Sequence, residues 1–200
     1  EDGSLFGEEY TLVAVADYVL KHQLGNTVSN LSSTQALQKV TEKRGGEYAA
    51  AAVGEVNVVA KMKEVQAVIG GEGNGGIIYP ILHYGRDAMV GVALFLSHLV
   101  EMGRSVSSLR AQYPNFVMVK DKIQLLPHID IDKLLQQLKD KYKHYPQNTI
   151  DGLKIFVDEN WVHLRRSNTE PIIRIYAESS FEVTALNLVN KIKSDVKEFI

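Results

Sequence analysis

Two short segments concentrate the residue types that recognise polar ligands. The first is Gly71-Glu72-Gly73-Asn74-Gly75-Gly76, which sets one carboxylate and one amide in a run of glycines. Glu accepts hydrogen bonds and Asn both accepts and donates, a combination suited to ligand hydroxyls. The run also fits G-x-G-x-x-G, the dinucleotide fingerprint, but that motif works only where its last glycine opens a helix facing a pyrophosphate. Here Ile77-Ile78-Tyr79-Pro80 follows, strand-like and then broken by proline, so the dinucleotide reading fails. Spacing alone favours the plain alternative, a flexible glycine turn between strands with Glu72 in water.

The second segment is Arg165-Arg166-Ser167-Asn168-Thr169-Glu170-Pro171, between two strand patterns. It gathers guanidinium, hydroxyl, amide and backbone N–H donors in a short turn, and an anion, phosphate above all, satisfies such donors best. Ser167-Asn168-Thr169-Glu170 also fits the S-x-x-E capping box. The strand pattern Ile172-Ile173-Arg174-Ile175-Tyr176 after Pro171 argues against a helix there. A phosphate grip and a polar hairpin turn stand level on residue types alone.

Other candidates for chemistry are weaker. The six histidines (His22, His83, His98, His128, His144 and His163) show no metal-ligand spacing. Arg86-Asp87 reads as charge at the start of a helix, complementing its dipole. With no cysteine, the chain has neither disulfides nor thiolate metal sites, and a reducing cytosol is permitted. Lys+Arg 22 against Asp+Glu 24 gives a net charge of −2, with no basic excess that would point to nucleic acid. The longest apolar stretches, such as residues 89–96, fall well short of the ~20 residues of a membrane span.

The elements that must position these segments follow from periodicity. Helical spacing covers residues 10–22, 33–44 (capped by Ser32 or Ser33) and 55–63, and strands are expected at residues 27–31, 48–53, 65–69 and 77–79. Residues 87–102 are apolar nearly all round, which predicts a helix packed deep in a core. This rhythm is that of an α/β layered domain, a mixed sheet with helices on both faces, ending near Val119. Beyond it, an amphipathic helix over residues 131–142, strands at 153–157, 161–165 and 172–177, and a last helix with the stripe Ala185, Val189, Ile192, Val196, Phe199 predict a small α+β domain. Glu1-Asp2-Gly3-Ser4 reads as a turn, so the first strand is expected upstream.

Taken together, the two segments resemble the α-D-phosphohexomutases, the family of phosphoglucomutases, phosphomannomutases and phosphoglucosamine mutases. The stretch from Leu164 to Glu178 resembles the phosphate-binding loop of the family's fourth domain, and Gly71 to Gly76 its sugar-recognition loop in the third. Val53-Gly54-Glu55, followed by Lys61-Met62-Lys63-Glu64, resembles the segment preceding that loop, and the order and spacing of all three agree. The resemblance divides the chain into residues 1–24 as the tail of a second mutase domain, 25–119 as the sugar-recognition domain and 120–200 as the phosphate-binding domain.

The resemblance also implies roles. Glu72 and Asn74 would hold sugar hydroxyls, and Arg165, Ser167, Asn168 and Thr169 the substrate's non-reacting phosphate. Gly76 stands where several members have histidine, Ala52 where members often have lysine, and Glu55 where phosphoglucosamine mutases have aspartate; these departures lean toward glucosamine. The family's phosphoserine and magnesium loop would both precede Glu1, so no catalytic residue and no metal ligand is expected in this chain. A cytoplasmic isomerase follows, Mg²⁺-dependent when whole, with a hexose phosphate and its own N-terminal domains as partners. The competing class is a non-catalytic phosphosugar-binding module.

Overall fold

In the computed structural model, residues 1–124, 129–167 and 170–199 are described. The chain forms two compact units, residues 1–115 and 116–200.

The first unit is built from α1 (Glu8–His22), β1 (Asn26–Asn30), α2 (Ala36–Lys43), β2 (Tyr48–Ala51), α3 (Glu55–Glu64), β3 (Ala67–Glu72), β4 (Gly76–Ile78), α4 (Ala88–Met102) and α5 (Val106–Arg110). Its sheet has the order β2-β1-β3-β4. β1 runs parallel to β2 and β3, and β4 returns antiparallel to β3. A Cβ added at Gly70 would meet Met62 of α3, whereas one at Gly71 would meet Leu12 of α1. Successive strand residues face opposite ways, so these helices cover opposite faces of the sheet. Helix α1 was expected to close a preceding domain; it packs within this unit instead, against α2, α4 and β3.

Polar groups pin these helices as well. Asp17 of α1 takes a 2.7 Å ion pair from Arg44 and a 3.2 Å hydrogen bond from Tyr113, and His98 of α4 lies 3.1 Å from the same Tyr113 hydroxyl. Burial alone would raise the Asp17 pKa; His98 and Arg44 outweigh it and hold it at about 2.

Three expectations are corrected in this unit. α2 starts at Ala36 rather than Ser33: the N-cap residue Gln35 makes no side-chain capping bond, Thr34 Oγ1 accepts from Ala36 N at 3.2 Å, and the Ser33 hydroxyl is engaged elsewhere. Gly71 and Glu72 belong to β3, so the expected flexible glycine loop is a short antiparallel hairpin turn. Helix α4 is capped by Asp87, which accepts from Val90 N at 3.0 Å, and stopped by left-handed Gly103. It is not buried all round: Met89, Val92, Leu96 and Val100 are 77, 54, 53 and 82% exposed.

The second unit contains β5 (Val117–Gln124), α6 (Ile131–Lys141), β6 (Gln147–Asn148), β7 (Leu153–Val157), β8 (Asn160–Arg166), β9 (Ile172–Ser179) and α7 (Glu182–Phe199). Its five strands are antiparallel in the order β5-β9-β8-β7-β6. Alternate residues Val162 and Leu164, and Ile173, Ile175 and Ala177, join Leu134, Leu138, Val189, Ile192 and Val196 in one core. Asp130 caps α6 through Asp132 N and Lys133 N. β5 was not foreseen. It pairs with β9 along its whole length and begins at Val117, so the division between units falls earlier than Val119. Among the described residues no helix is long and apolar enough to cross a membrane.

Candidate functional site

In the first unit the glycine turn is seated on residues far away in sequence. Gly73 N donates to the Ser33 hydroxyl at 2.9 Å, and that hydroxyl donates to Asn30 Oδ1 at 3.1 Å. Beneath Gly73 lies the Glu9 carboxylate, which accepts from Thr34 N at 2.9 Å. A Cβ at Gly73 would come within 1.9 Å of Glu9 Oε2, so any larger residue there must push the Glu9 carboxylate aside.

Glu72, expected to be solvated or ligand-facing, is 6% exposed. Its Oε1 accepts from Asn30 Nδ2 at 3.0 Å and from Gly54 N at 3.2 Å, while its Oε2 lies 3.5 Å from Arg86 Nη1. Asn74 is exposed, and its Oδ1 accepts from Gly76 N at 3.1 Å, closing the turn. That leaves its amide nitrogen as a donor at the surface. Arg86 does not act as a bare helix-end charge: its N and Nε donate to Glu55 at 3.2 and 2.8 Å. These bonds, the backbone one first, hold the Glu55 carboxyl below the usual carboxylate range.

In the second unit Arg165 lies near the end of β8, directly across from Arg174 of β9. Strand alternation sets Arg165 on the face opposite Val162 and Leu164, while Arg166 falls on their side and is exposed. Like charges directly opposite on neighbouring strands repel. Arg174 has an exposed partner in Glu170 at 3.5 Å, whereas Arg165 Nε is buried with no hydrogen-bond partner among the described residues. Ser167 is buried, and its backbone N donates to Ile172 O at 3.0 Å. Asn168 and Thr169 lie outside the described residues. On Arg165's face, burial pushes the His163 pKa down to about 4, so this histidine is neutral at pH 7 and adds no charge. Sequence reasoning missed Arg174, Arg86 and Asn30; the first two looked like strand alternation and helix-end charge. Among the described residues no group of three or more His, Asp or Glu is placed to hold a metal ion.

The chain therefore presents an α/β unit with a polar glycine turn, then an antiparallel unit with a cationic strand end. Residues 7–116 match the family model described as phosphoglucomutase/phosphomannomutase, alpha/beta/alpha domain III, and residues 117–193 match that of the C-terminal domain. The chain belongs to this family. It is 31% identical over 192 residues to a probable phosphoglucosamine mutase of Methanopyrus kandleri, covering 94% of this chain and 42% of that protein. It is 32% identical over 191 residues to a phosphoglucomutase/phosphomannomutase of Thermococcus kodakarensis, covering 92% and 41%. A solved structure of a phosphoglucomutase/phosphomannomutase family protein from Burkholderia thailandensis superposes with a TM-score of 0.81 at 24% identity, covering 98% of this chain and 43% of its own, which speaks to the fold alone. The chain thus spans less than half the length of these relatives.

Proposed function

We propose that this chain is the substrate-holding part of a phosphohexomutase, which interconverts hexose 1-phosphate and hexose 6-phosphate through a bisphosphorylated intermediate. The observation that carries the reading is the Arg165–Arg174 juxtaposition, with Arg165 Nε lacking a partner among the described residues. Arg174 already has the Glu170 carboxylate, but Arg165 has no such partner among the described residues, and an anion beside it would relieve the repulsion while the planar fork of arginine suits phosphate oxygens. Ser167, Asn168 and Thr169, which follow in the sequence, would add donors. The second unit would hold the phosphate that does not react, while Glu72 and Asn74 of the first would take sugar hydroxyls. O1 and O6 must each in turn meet the transferring group, so the chain's work is positioning.

The described residues do not fit a magnesium site. The phosphoryl carrier and any Mg²⁺ would belong to the domains that the longer relatives have in addition. Those domains are also the partner proposed for the apolar face of α4, which continues into a groove of about 340 Å³ lined by Phe6, Thr11, Val92, Phe95 and Leu96.

The test is calorimetric titration of full-length enzyme with glucose, mannose and glucosamine phosphates. Arg165→Lys should weaken binding of every sugar phosphate about tenfold or more, with a thermal midpoint near wild type, and Arg166→Lys should change little. Equal losses in the two variants, or wild-type affinity in Arg165→Lys, would remove the phosphate assignment.

A further inference from the structure

Arg86 carries a charge that the phosphate grip does not use. Its backbone N and Nε both donate to the Glu55 carboxylate at the start of α3, at 3.2 and 2.8 Å. The backbone bond places Glu55 beside Arg86, and the Nε bond then directs the guanidinium. Nη1 comes to rest 3.5 Å from Glu72 Oε2. The side chain reaches that point by running across Gly76, where a Cβ would come within 2.8 Å of Arg86 Cδ. Glycine at position 76 therefore keeps the path open. Glu72 Oε1 is already filled by Asn30 and Gly54, whereas Oε2 has only the 3.5 Å contact with Arg86, so a ligand would meet this carboxylate on its Arg86 side. The Arg86 side chain is 46% exposed, so water weakens its long contact with Glu72 and a ligand atom displaces little.

We propose that Arg86, held by Glu55, is a specificity-determining residue: it donates to the ligand hydroxyl whose own hydrogen goes to Glu72 Oε2. The inference rests on the sugar-phosphate reading above. A hydroxyl donates and accepts at once and satisfies both neighbours without charge. An ammonium satisfies Glu72 but meets a like charge at Arg86. A carbonyl accepts from Arg86 but confronts the carboxylate. The subsite thus selects a hydroxyl over an amine or a ketone, and the amino group of any amino-sugar substrate has to lie elsewhere on the ring.

The experiment titrates the full-length enzyme at pH 7 with glucose 6-phosphate, its 3-deoxy and 4-deoxy analogues, and the matching 3-amino and 4-amino analogues. Wild type should lose about ten- to hundredfold in affinity for one deoxy analogue, and at least as much for the corresponding amine. Arg86→Gln should cut the penalty against the amine to about threefold or less, because the repelling charge is gone and Glu72 remains. Gly76→Ala should shift the hydroxyl-to-amine ratio the same way without altering any charge, by pushing Arg86 off its path, and it serves as the control if Arg86→Gln folds poorly. A ratio within about twofold of wild type in both variants overturns the inference while leaving the phosphate grip standing. Absence of binding by wild type to every compound overturns the sugar-phosphate reading itself. Arg165→Lys should weaken all the analogues by one common factor, which keeps the two failures apart.

Discussion

Arg165 and His163 lie on one face of β8, two residues apart, and the fold treats them oppositely. The arginine is left with a buried Nε that has no partner among the described residues, while burial keeps the histidine neutral, with Nε2 placed 2.6 Å from Asp151 O. A neutral His163 has a consequence for stability. Its pKa is near 6.5 in the unfolded chain and about 4 when folded, so the unfolded state binds the extra proton. The stabilisation is complete above pH ~6.5 and is lost as the pH falls through about 4, by up to ~3 kcal/mol. Urea titrations of the chain between pH 7 and pH 4 should show that slope, and His163→Gln should flatten it whatever it does to absolute stability. An unchanged slope in the variant would mean that another group titrates there. Arg165 was legible because its motif is local and its residue types are unusual for a turn. Arg174 was hidden, since one charged residue among alternating Ile and Tyr reads as a strand's outer face. What reveals it is the β8–β9 register, a pairing that spacing along the sequence does not encode.

The glycine hairpin shows how much of an element's identity lies outside it. Glu9 belongs to the first turn of α1 and Ser33 to the approach to α2, yet both hold Gly73. Gly73→Ala would force the new Cβ against Glu9 Oε2, displacing the acceptor of Thr34 N. We expect a loss of roughly 1–3 kcal/mol of stability, as for other overpacked sites. Shortening the opposing side chain with Glu9→Ala should recover part of it, because the two residues are in contact and their effects are not additive. Thermal or urea melts of the two single variants and the double variant check this; strictly additive losses would show that Glu9 does not set the space at Gly73. Most elements here were readable from periodicity, including α1 to α4, α6, α7 and the strands β7 to β9, whereas the short α5 was not foreseen. β5 escaped because Lys120, Asp121 and Lys122 interrupt its apolar residues. Such charges belong on an edge strand, where they discourage pairing with another chain, and β5 is the edge of its sheet.

At the scale of the whole molecule, α4 is the element whose composition and surroundings disagree most. Its sequence suits a helix enclosed on every side, but Met89, Val92, Leu96 and Val100 form an exposed stripe at helical spacing. Periodicity reports what a face is made of and says nothing about which chain covers it, so the expectation of a deep core helix went further than the residues allow. Contiguous apolar surface of this kind marks an interaction site or an aggregation liability. The proposed cover is the additional domains of the longer relatives, which separates two measurements on one substitution. In the 200-residue chain, Val100→Lys should leave the thermal midpoint nearly unchanged, because the side chain is already in water, and should reduce self-association in sedimentation velocity. In the full-length enzyme the same lysine would be driven into an apolar interface, and burying an unpaired charge costs several kcal/mol unless the interface opens. We therefore expect a lowered melting transition or earlier proteolysis in full-length Val100→Lys, with Val100→Ala as the comparison that shortens the side chain without adding charge. If Val100→Lys melts like wild type in the full-length enzyme, those domains do not cover α4. If it instead converts a stable dimer of the full-length protein to monomer, the stripe is an interface between copies.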